Sequence, residues 1–325
     1  MPLGEFQLID RFFKGGGAAR TDVRLPIGDD AAVLECPPGR QLVAAIDTVV
    51  EGVHFPPGSP PASIGHRVLA VNLSDLAAMG AEPAWALLAL TLPRAEERWL
   101  AEFSRGFNAL AREFGVALVG GDTTAGPLCI TVQILGFIEP QTALTRAGGT
   151  PGDQLFVSGT PGDAAAGLLL GQGKLAIADA TIAAQLSARF YFPSPRVALG
   201  RRLRSLASAC IDVSDGLLGD AGKLAAASGC GADLELTELP LSPGLVQALG
   251  EARARELALT GGDDYELCFS VPASRVPLLT EQLPPQQWGY RRIGALRPGS
   301  GERVLRAGTV MDFSHSGFDH FAHRT

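Results

Sequence analysis

Residues 63–79, SIGHRVLAVNLSDLAAM, have helical length and are apolar almost all round. A helix without a polar stripe is stable only when it is covered on every side. The chain must therefore wrap layers of secondary structure around this segment. Strand-like runs at 31–35 (AAVLE), 41–47 (QLVAAID), 84–92, 116–119 and 128–138, with a helix at 95–114, supply them. A short amphipathic helix over 4–14 precedes these and stops at Gly15-Gly16-Gly17. The stretch 139–153 (EPQTALTRAGGTPGD) is dense in turn formers and predicts a domain boundary. Beyond it, strands at 154–158, 208–213, 232–237 and 265–271 are interleaved with helices at 163–171, 178–189, 196–206 and 216–228. Short helices up to 258 and a β-rich end complete the pattern. With 325 residues, two domains are expected, 1–148 and 149–325. The fold class is α/β (α+β), with a mixed-sheet first domain and an α/β second domain.

Composition removes several classes of function. The net charge of −7 argues against general nucleic-acid binding. No apolar run approaches the ~18 residues that cross a membrane. Glu5 and Asp10 stand where a signal peptide carries basic residues. The five cysteines are scattered without a CxxC pair, which argues against a disulfide framework or structural zinc. These features fit a cytoplasmic protein.

Nine of the 18 aspartates fall in six short segments, none of which contains Lys or Arg. The segments are Gly28-Asp29-Asp30, Ile46-Asp47-Thr48, Ser74-Asp75, Gly120-Gly121-Asp122-Thr123, Ile211-Asp212-Val213-Ser214-Asp215-Gly216 and Gly261-Gly262-Asp263-Asp264. Asp beside Gly also makes ordinary turns and helix caps. Three positions point further. Asp47, Asp122 and Asp212 each end an apolar strand-like run, where ligand sites of α/β sheets lie. Asp75 sits inside the apolar helix, where an unpaired carboxylate is costly and calls for a cation. Hard oxygen donors select Mg²⁺ or Ca²⁺, and the spacing of a calcium loop is absent. Mg²⁺ bridges carboxylates to substrate phosphates, so a nucleoside triphosphate is the expected ligand. Gly120-Gly121 would let backbone N–H groups approach a phosphate.

Known nucleotide motifs are missing. Gly171-Gln172-Gly173-Lys174-Leu175 and Gly222-Lys223-Leu224 lack the spacing and hydroxyl of a P-loop. There is no protein-kinase set and no GxSxG. His54 follows Asp47 in Glu51-Gly52-Val53-His54-Phe55 and by itself reads as structural. His315, His320 and His323 cluster near the end without metal spacing. Arg146, at the domain boundary, reads either as an interdomain salt bridge or as a phosphate clamp.

Taken in order, these motifs resemble one family. They are Gly4-Glu5-Phe6, Ile27-Gly28-Asp29-Asp30-Ala31-Ala32, Asp47-Thr48 with Gly52-x-His54-Phe55, and Val71-Asn72-Leu73-Ser74-Asp75-Leu76-Ala77-Ala78-Met79-Gly80-Ala81. Gly120-Gly121-Asp122-Thr123, Asp212-Val213-Ser214-Asp215-Gly216-Leu217, Asp264-Tyr265-Glu266-Leu267 and Gly317-Phe318-Asp319-His320-Phe321 follow. The set is similar to the thiamine-monophosphate kinase family of the aminoimidazole-ribonucleotide-synthetase-like superfamily, from Gly4 to Phe321. The resemblance implies that superfamily's two-domain fold, ATP-dependent phosphorylation of thiamine monophosphate to thiamine diphosphate, several Mg²⁺ ions and a homodimer. Its first domain would bind Mg²⁺ and ATP and form the dimer, and its second would complete the metal and substrate site.

Carried over residue by residue, Asp30, Asp47, Asp75, Asp122, Asp212 and Asp215 match metal ligands. Among these Asp47, Asp75, Asp122 and Asp212 stand as the catalytic set. Gly121, Asp122, Arg146 and Ser214 match ATP contacts, and His54, Asp263 and Phe318 match substrate contacts. Ala45 and Ile46 stand where the family often has hydroxyl residues, and Asp263 where it usually has Glu. The acceptor phosphate has a second pKa of ~6, so it needs no catalytic base. Alternative readings are another ATP-dependent reaction of the superfamily, of the aminoimidazole ribonucleotide or selenophosphate synthetase type, or a non-catalytic nucleotide- or metal-binding module.

Overall fold

A computed structural model describes residues 4–311 and 313. Phe318, His315, His320 and His323 lie outside the described residues. The chain divides into two compact units, one of Met1–Leu76 with Ala81–Gln141, the other of Ala77–Gly80 with Thr142–Thr325.

The first unit runs α1 (Glu5–Phe12), β1 (Val23–Leu25), β2 (Val33–Leu34), β3 (Gln41–Val50), α2 (Pro61–Ala78), β4 (Glu82–Leu92), α3 (Glu97–Glu113), β5 (Ala117–Ala125), β6 (Cys129–Ile138). Its mixed four-stranded sheet has the order β3-β6-β4-β5, with only β4 and β5 parallel. Val43, Ala45, Asp47 and Val49 point to one face of β3, where Leu76 of α2 approaches Gly136 of β6. On its other side α2 touches α3 backbone to backbone. A Cβ on Gly65 would lie 2.1 Å from the Phe103 carbonyl oxygen, and one on Gly106 would lie 1.9 Å from that of Ala62. Only glycine permits that approach. The largely apolar helix is thus sandwiched, as its composition requires. On the outer face, the β1–β2 ribbon places Val23, Ala32 and Leu34 over a cluster containing Trp85 and Phe137.

The second unit contains β7 (Gln154–Ser158), α4 (Asp163–Gly171), α5 (Ala180–Tyr191), α6 (Val197–Leu203), β8 (Ala209–Val213), α7 (Leu217–Ala227) and β9 (Gly231–Glu235). Then come α8 (Pro243–Leu249), α9 (Glu251–Thr260), β10 (Glu266–Val271), α10 (Val276–Gln282), α11 (Pro285–Trp288), β11 (Tyr290–Arg297), β12 (Glu302–Arg306) and β13 (Thr309–Met311). The seven strands lie in the order β13-β12-β9-β11-β7-β10-β8. Only β9 and β12 pair in parallel. One face buries Leu155, Val157, Ile211 and Val213 against Leu217, Ala221 and Leu224 of α7. The alternate residues Phe156 and Phe269 stack on the other face with ring centroids 5.4 Å apart.

Three expectations need correction. Asp47 and Asp122 do not end their strands, because Thr48-Val49-Val50 and Thr123-Thr124-Ala125 carry β3 and β5 onward. The expected strand at 31–35 shrinks to two residues, paired only with β1. Residues 276–288 contain two short helices rather than β structure, each begun by a proline in its first turn.

Candidate functional site

In the first unit the structure brings Asp47 and Asp75 together. β3 presents Asp47 on its inner face, α2 presents Asp75 from the turn below, and the two carboxyl groups are within hydrogen-bonding reach. Burial pushes the Asp47 pKa up, while the hydrogen bond to Asp75 and the nearby His54 imidazole pull it down. Asp75 is half-buried rather than fully enclosed. One turn earlier on α2, Asn72 is fully buried. Its amide nitrogen donates to the Val68 carbonyl at 3.0 Å, and its Oδ1 has no hydrogen-bond partner among the described residues. His54 is oriented by its own loop: Nδ1 accepts the Val50 N–H at 3.0 Å, which puts the proton of the neutral ring on Nε2.

Asp122 is placed differently. The pairing of β3, β6, β4 and β5 sets Asp122 on the face of Thr48, Thr131 and Ala89, opposite to that of Asp47. It is exposed there. Asp30 is exposed in a bend, where its N–H donates to Asp29 Oδ1 at 2.9 Å. Gly121 has a structural duty beside any contact to a phosphate. At φ +147° it lies so close to β4 that a Cβ would sit 1.8 Å from the Leu88 carbonyl oxygen. Gly121→Ala is therefore expected to cost on the order of 3 kcal/mol. A urea melt would show it as a lower midpoint, and an unchanged midpoint would remove this reading.

The second unit gathers two loops. Asp212, buried, is the next-to-last residue of β8, and Ser214 and Asp215 follow it into α7. The Gly261–Tyr265 segment is stitched to that turn: Asp263 N–H donates to the Ser214 carbonyl and Tyr265 N–H to that of Val213, both at 2.8 Å. Asp263 and Tyr265 hold φ of +70° and +51°. Left-handed backbone at a tyrosine is strained, and such strain persists only where the surroundings enforce it. The Tyr265 hydroxyl lies 3.3 Å from Asp263 Oδ1. Between them, buried Asp264 accepts the Gly162 N–H with both oxygens at 3.0 Å. Burial holds its carboxyl well above the usual range.

Four charged residues of this unit are buried or paired around these loops. Asp220 is buried and accepts the N–H groups of Ser214 and Asp215 at 3.0 Å each, fixing the turn. Lys223 bridges Asp215 at 2.5 Å and Asp220 at 2.8 Å. None of the acidic segments contains lysine, but the fold brings Lys223 against one of them. Asp220 and Lys223 share the three-residue spacing of a helical ion pair, a signal that was available. Asp264 and Glu266 belong to a quoted motif, but their burial follows from packing alone. Arg146 is exposed, and its carbonyl accepts from the Ser228 hydroxyl at 3.0 Å.

Among the described residues no three His, Cys, Asp or Glu side chains converge into a ready-made metal cage. Pairs suit Mg²⁺ nonetheless, because it keeps several waters and uses one or two carboxylates with substrate phosphates. Asp47 with Asp75 is a hard-oxygen pair of that kind.

Residues 28–138 match the model of the AIR synthase related protein, N-terminal domain, and residues 150–303 that of its C-terminal domain. The thiamine-monophosphate kinase of Escherichia coli strain K12 is 46% identical over 323 residues, covering 99% of each chain. The crystal structure of thiamine-monophosphate kinase from Stenotrophomonas maltophilia K279a superposes with a TM-score of 0.85 at 45% identity, covering 96% of this chain and 99% of that one. A solved complex of AaThiL with AMPPCP and TMP gives a TM-score of 0.77 at 31% identity, covering 99% of both chains.

Proposed function

The chain belongs to the thiamine-monophosphate kinases, within the AIR synthase related proteins, and from this membership we propose that it transfers the terminal phosphate of ATP to thiamine monophosphate. The observation that carries the reading is the Asp47–Asp75 carboxylate pair, two groups whose closeness calls for a cation. A relative solved with an ATP analogue and TMP together supports the same pair of ligands.

The acceptor is a phosphate oxygen that is already ionised near neutral pH. It forms a bond to the γ-phosphorus as the bond to the β–γ bridging oxygen breaks, and ADP leaves. No side chain needs to take a proton. The obstacle is charge: at ~4 Å and an effective dielectric of ~20, each pair of unit negative charges opposes approach by about 4 kcal/mol. Bound Mg²⁺ would neutralise that repulsion and align the two phosphates. Asp30, Asp47, Asp75, Asp122, Asp212 and Asp215 are the residues assigned to hold several such ions, with Asp122 on the opposite face of its sheet from Asp47. Gly121, Asp122, Arg146 and Ser214 are assigned to ATP, and His54, Asp263 and Phe318 to thiamine monophosphate. The stitching of Asp263 to the Ser214 carbonyl supports assigning acceptor and nucleotide contacts to one rigid element.

A homodimer formed by residues 1–148 belongs to the same reading. It is supported by β3, an edge strand with Leu42 and Ile46 51% and 63% exposed on its outer face. No helix among the described residues is long and apolar enough to cross a membrane, which agrees with a cytoplasmic site of action.

The test is ADP release from Mg²⁺-ATP with and without thiamine monophosphate, with the product analysed. Thiamine diphosphate equal to the ADP released is expected. ATP binding without that product would move the chain to another reaction of the superfamily. A phosphorylated protein during turnover would overturn direct transfer.

A further inference from the structure

Lysine occurs three times in this chain, against 24 arginines, and one of the three reaches the acidic turn of the second unit from the following helix. Lys223 projects from α7 and reaches two carboxylates, Asp215 Oδ2 at 2.5 Å and Asp220 Oδ1 at 2.8 Å. The two acids are in different circumstances. Asp220 is 1% exposed, and its other oxygen is satisfied by the N–H groups of Ser214 and Asp215. Asp215 is at the open end, 38% exposed, and faces the same ammonium. An ammonium is a compact point charge with three donors on a flexible stem, unlike the planar fork of arginine. It can stay on Asp220 while releasing Asp215.

We infer that Lys223 is a resident cation for Asp215: it neutralises that carboxylate while no divalent ion is bound, and it yields Asp215, but not Asp220, when one arrives. The inference rests on the reading above that Asp215 is a metal ligand. Asp220 keeps the backbone of the turn in place in both states, because its hydrogen bonds to Ser214 and Asp215 do not involve the site's own oxygens. A divalent ion at Asp215 then competes with an ion pair already formed, so its affinity is set partly by Lys223.

The experiment removes the ammonium and keeps its stem. Mn²⁺ binding to nucleotide-free protein is followed by the electron paramagnetic resonance of the free ion. Thermal unfolding is recorded in EDTA and in Mg²⁺. In Lys223→Met, one class of Mn²⁺ site is expected to tighten roughly two- to fivefold, the worth of a partly exposed ion pair. The midpoint of unfolding is expected to fall in both, because Asp220 loses its cation either way, and to fall less in Mg²⁺. Lys223→Arg, which retains the charge, is expected to show no tightening. Failure of Lys223→Met to fold in EDTA, with recovery in Mg²⁺, is the extreme form of the expected result. An equal loss of stability in both conditions, or unchanged Mn²⁺ affinity, overturns the inference. Asp215→Asn separates the two levels. If it removes no class of Mn²⁺ site, the assignment of Asp215 as a ligand fails. If it removes one that Lys223→Met leaves unchanged, only the resident-cation inference fails.

Discussion

Asp75→Asn is expected to lower turnover by roughly 10²- to 10³-fold while the protein still folds. The change deletes one negative charge and keeps the shape. One unit charge at ~4 Å and an effective dielectric of ~20 corresponds to about 4 kcal/mol, and each 1.36 kcal/mol is about tenfold in rate. Part of that energy appears as weaker Mg²⁺ binding, so the Mg²⁺ needed for half-maximal rate should rise as well. The fold should tolerate the substitution, because Asp75 faces another carboxyl group and asparagine can donate to Asp47. Steady-state rates across a Mg²⁺ titration check it. Near-normal rates at saturating Mg²⁺ would remove Asp75 from the metal set and take the central support of the proposed mechanism with it.

Glu266→Ala is expected to destabilise the second unit by roughly 3–5 kcal/mol, the cost of breaking a buried ion pair on one side. Glu266 is fully buried at the start of β10. Its oxygens accept from Arg196 Nε and Nη2 and from Arg189 Nη2, each at 2.6 Å, and from the Ser158 hydroxyl. Truncation leaves two guanidinium groups and a hydroxyl without their acceptor. Burial alone would raise the Glu266 pKa, but the two arginines outweigh it and hold the carboxyl below its ordinary value of 4.5. A depressed carboxylate contributes stability above its unfolded pKa and loses it as the pH falls through the folded pKa. The gap between wild type and Glu266→Gln should therefore be full at neutral pH and close below pH 4.5. Chemical denaturation at several pH values measures this, and a pH-independent gap would contradict the electrostatic origin.

Much of the chain was legible because local chemistry and global fold agree. The 63–79 segment had to be a covered helix, and α2 lies between the sheet and α3 over nearly the same residues. The helix over 163–171 and the strand over 154–158 match α4 and β7 residue for residue. The caps are local as well: Asp179 accepts from Thr181 and Ile182 N–H, and Ser242 from Leu245 N–H. The ordered series of acidic motifs led to the family because each motif is a few adjacent residues that can be read without a structure.

Other features depended on which strand lies beside which. A one-residue step along a strand moves a side chain to the opposite face, so only the register of β5 against β4 could set Asp122 apart from Asp47. The same holds for Gly121, whose need for glycine comes from the Leu88 carbonyl in the neighbouring strand, 33 positions away. Glu266 reads as one more charged residue in a strand until α5 and α6 bring Arg189 and Arg196 onto it, 77 and 70 positions away in the chain. The sequence by itself determined the elements, their caps and the kinds of ligand atom offered, because those follow from neighbours along the chain. The tertiary structure decided which carboxylates meet, which is neutralised by Lys223 and which is buried, because burial and Coulomb energy depend on distance in space.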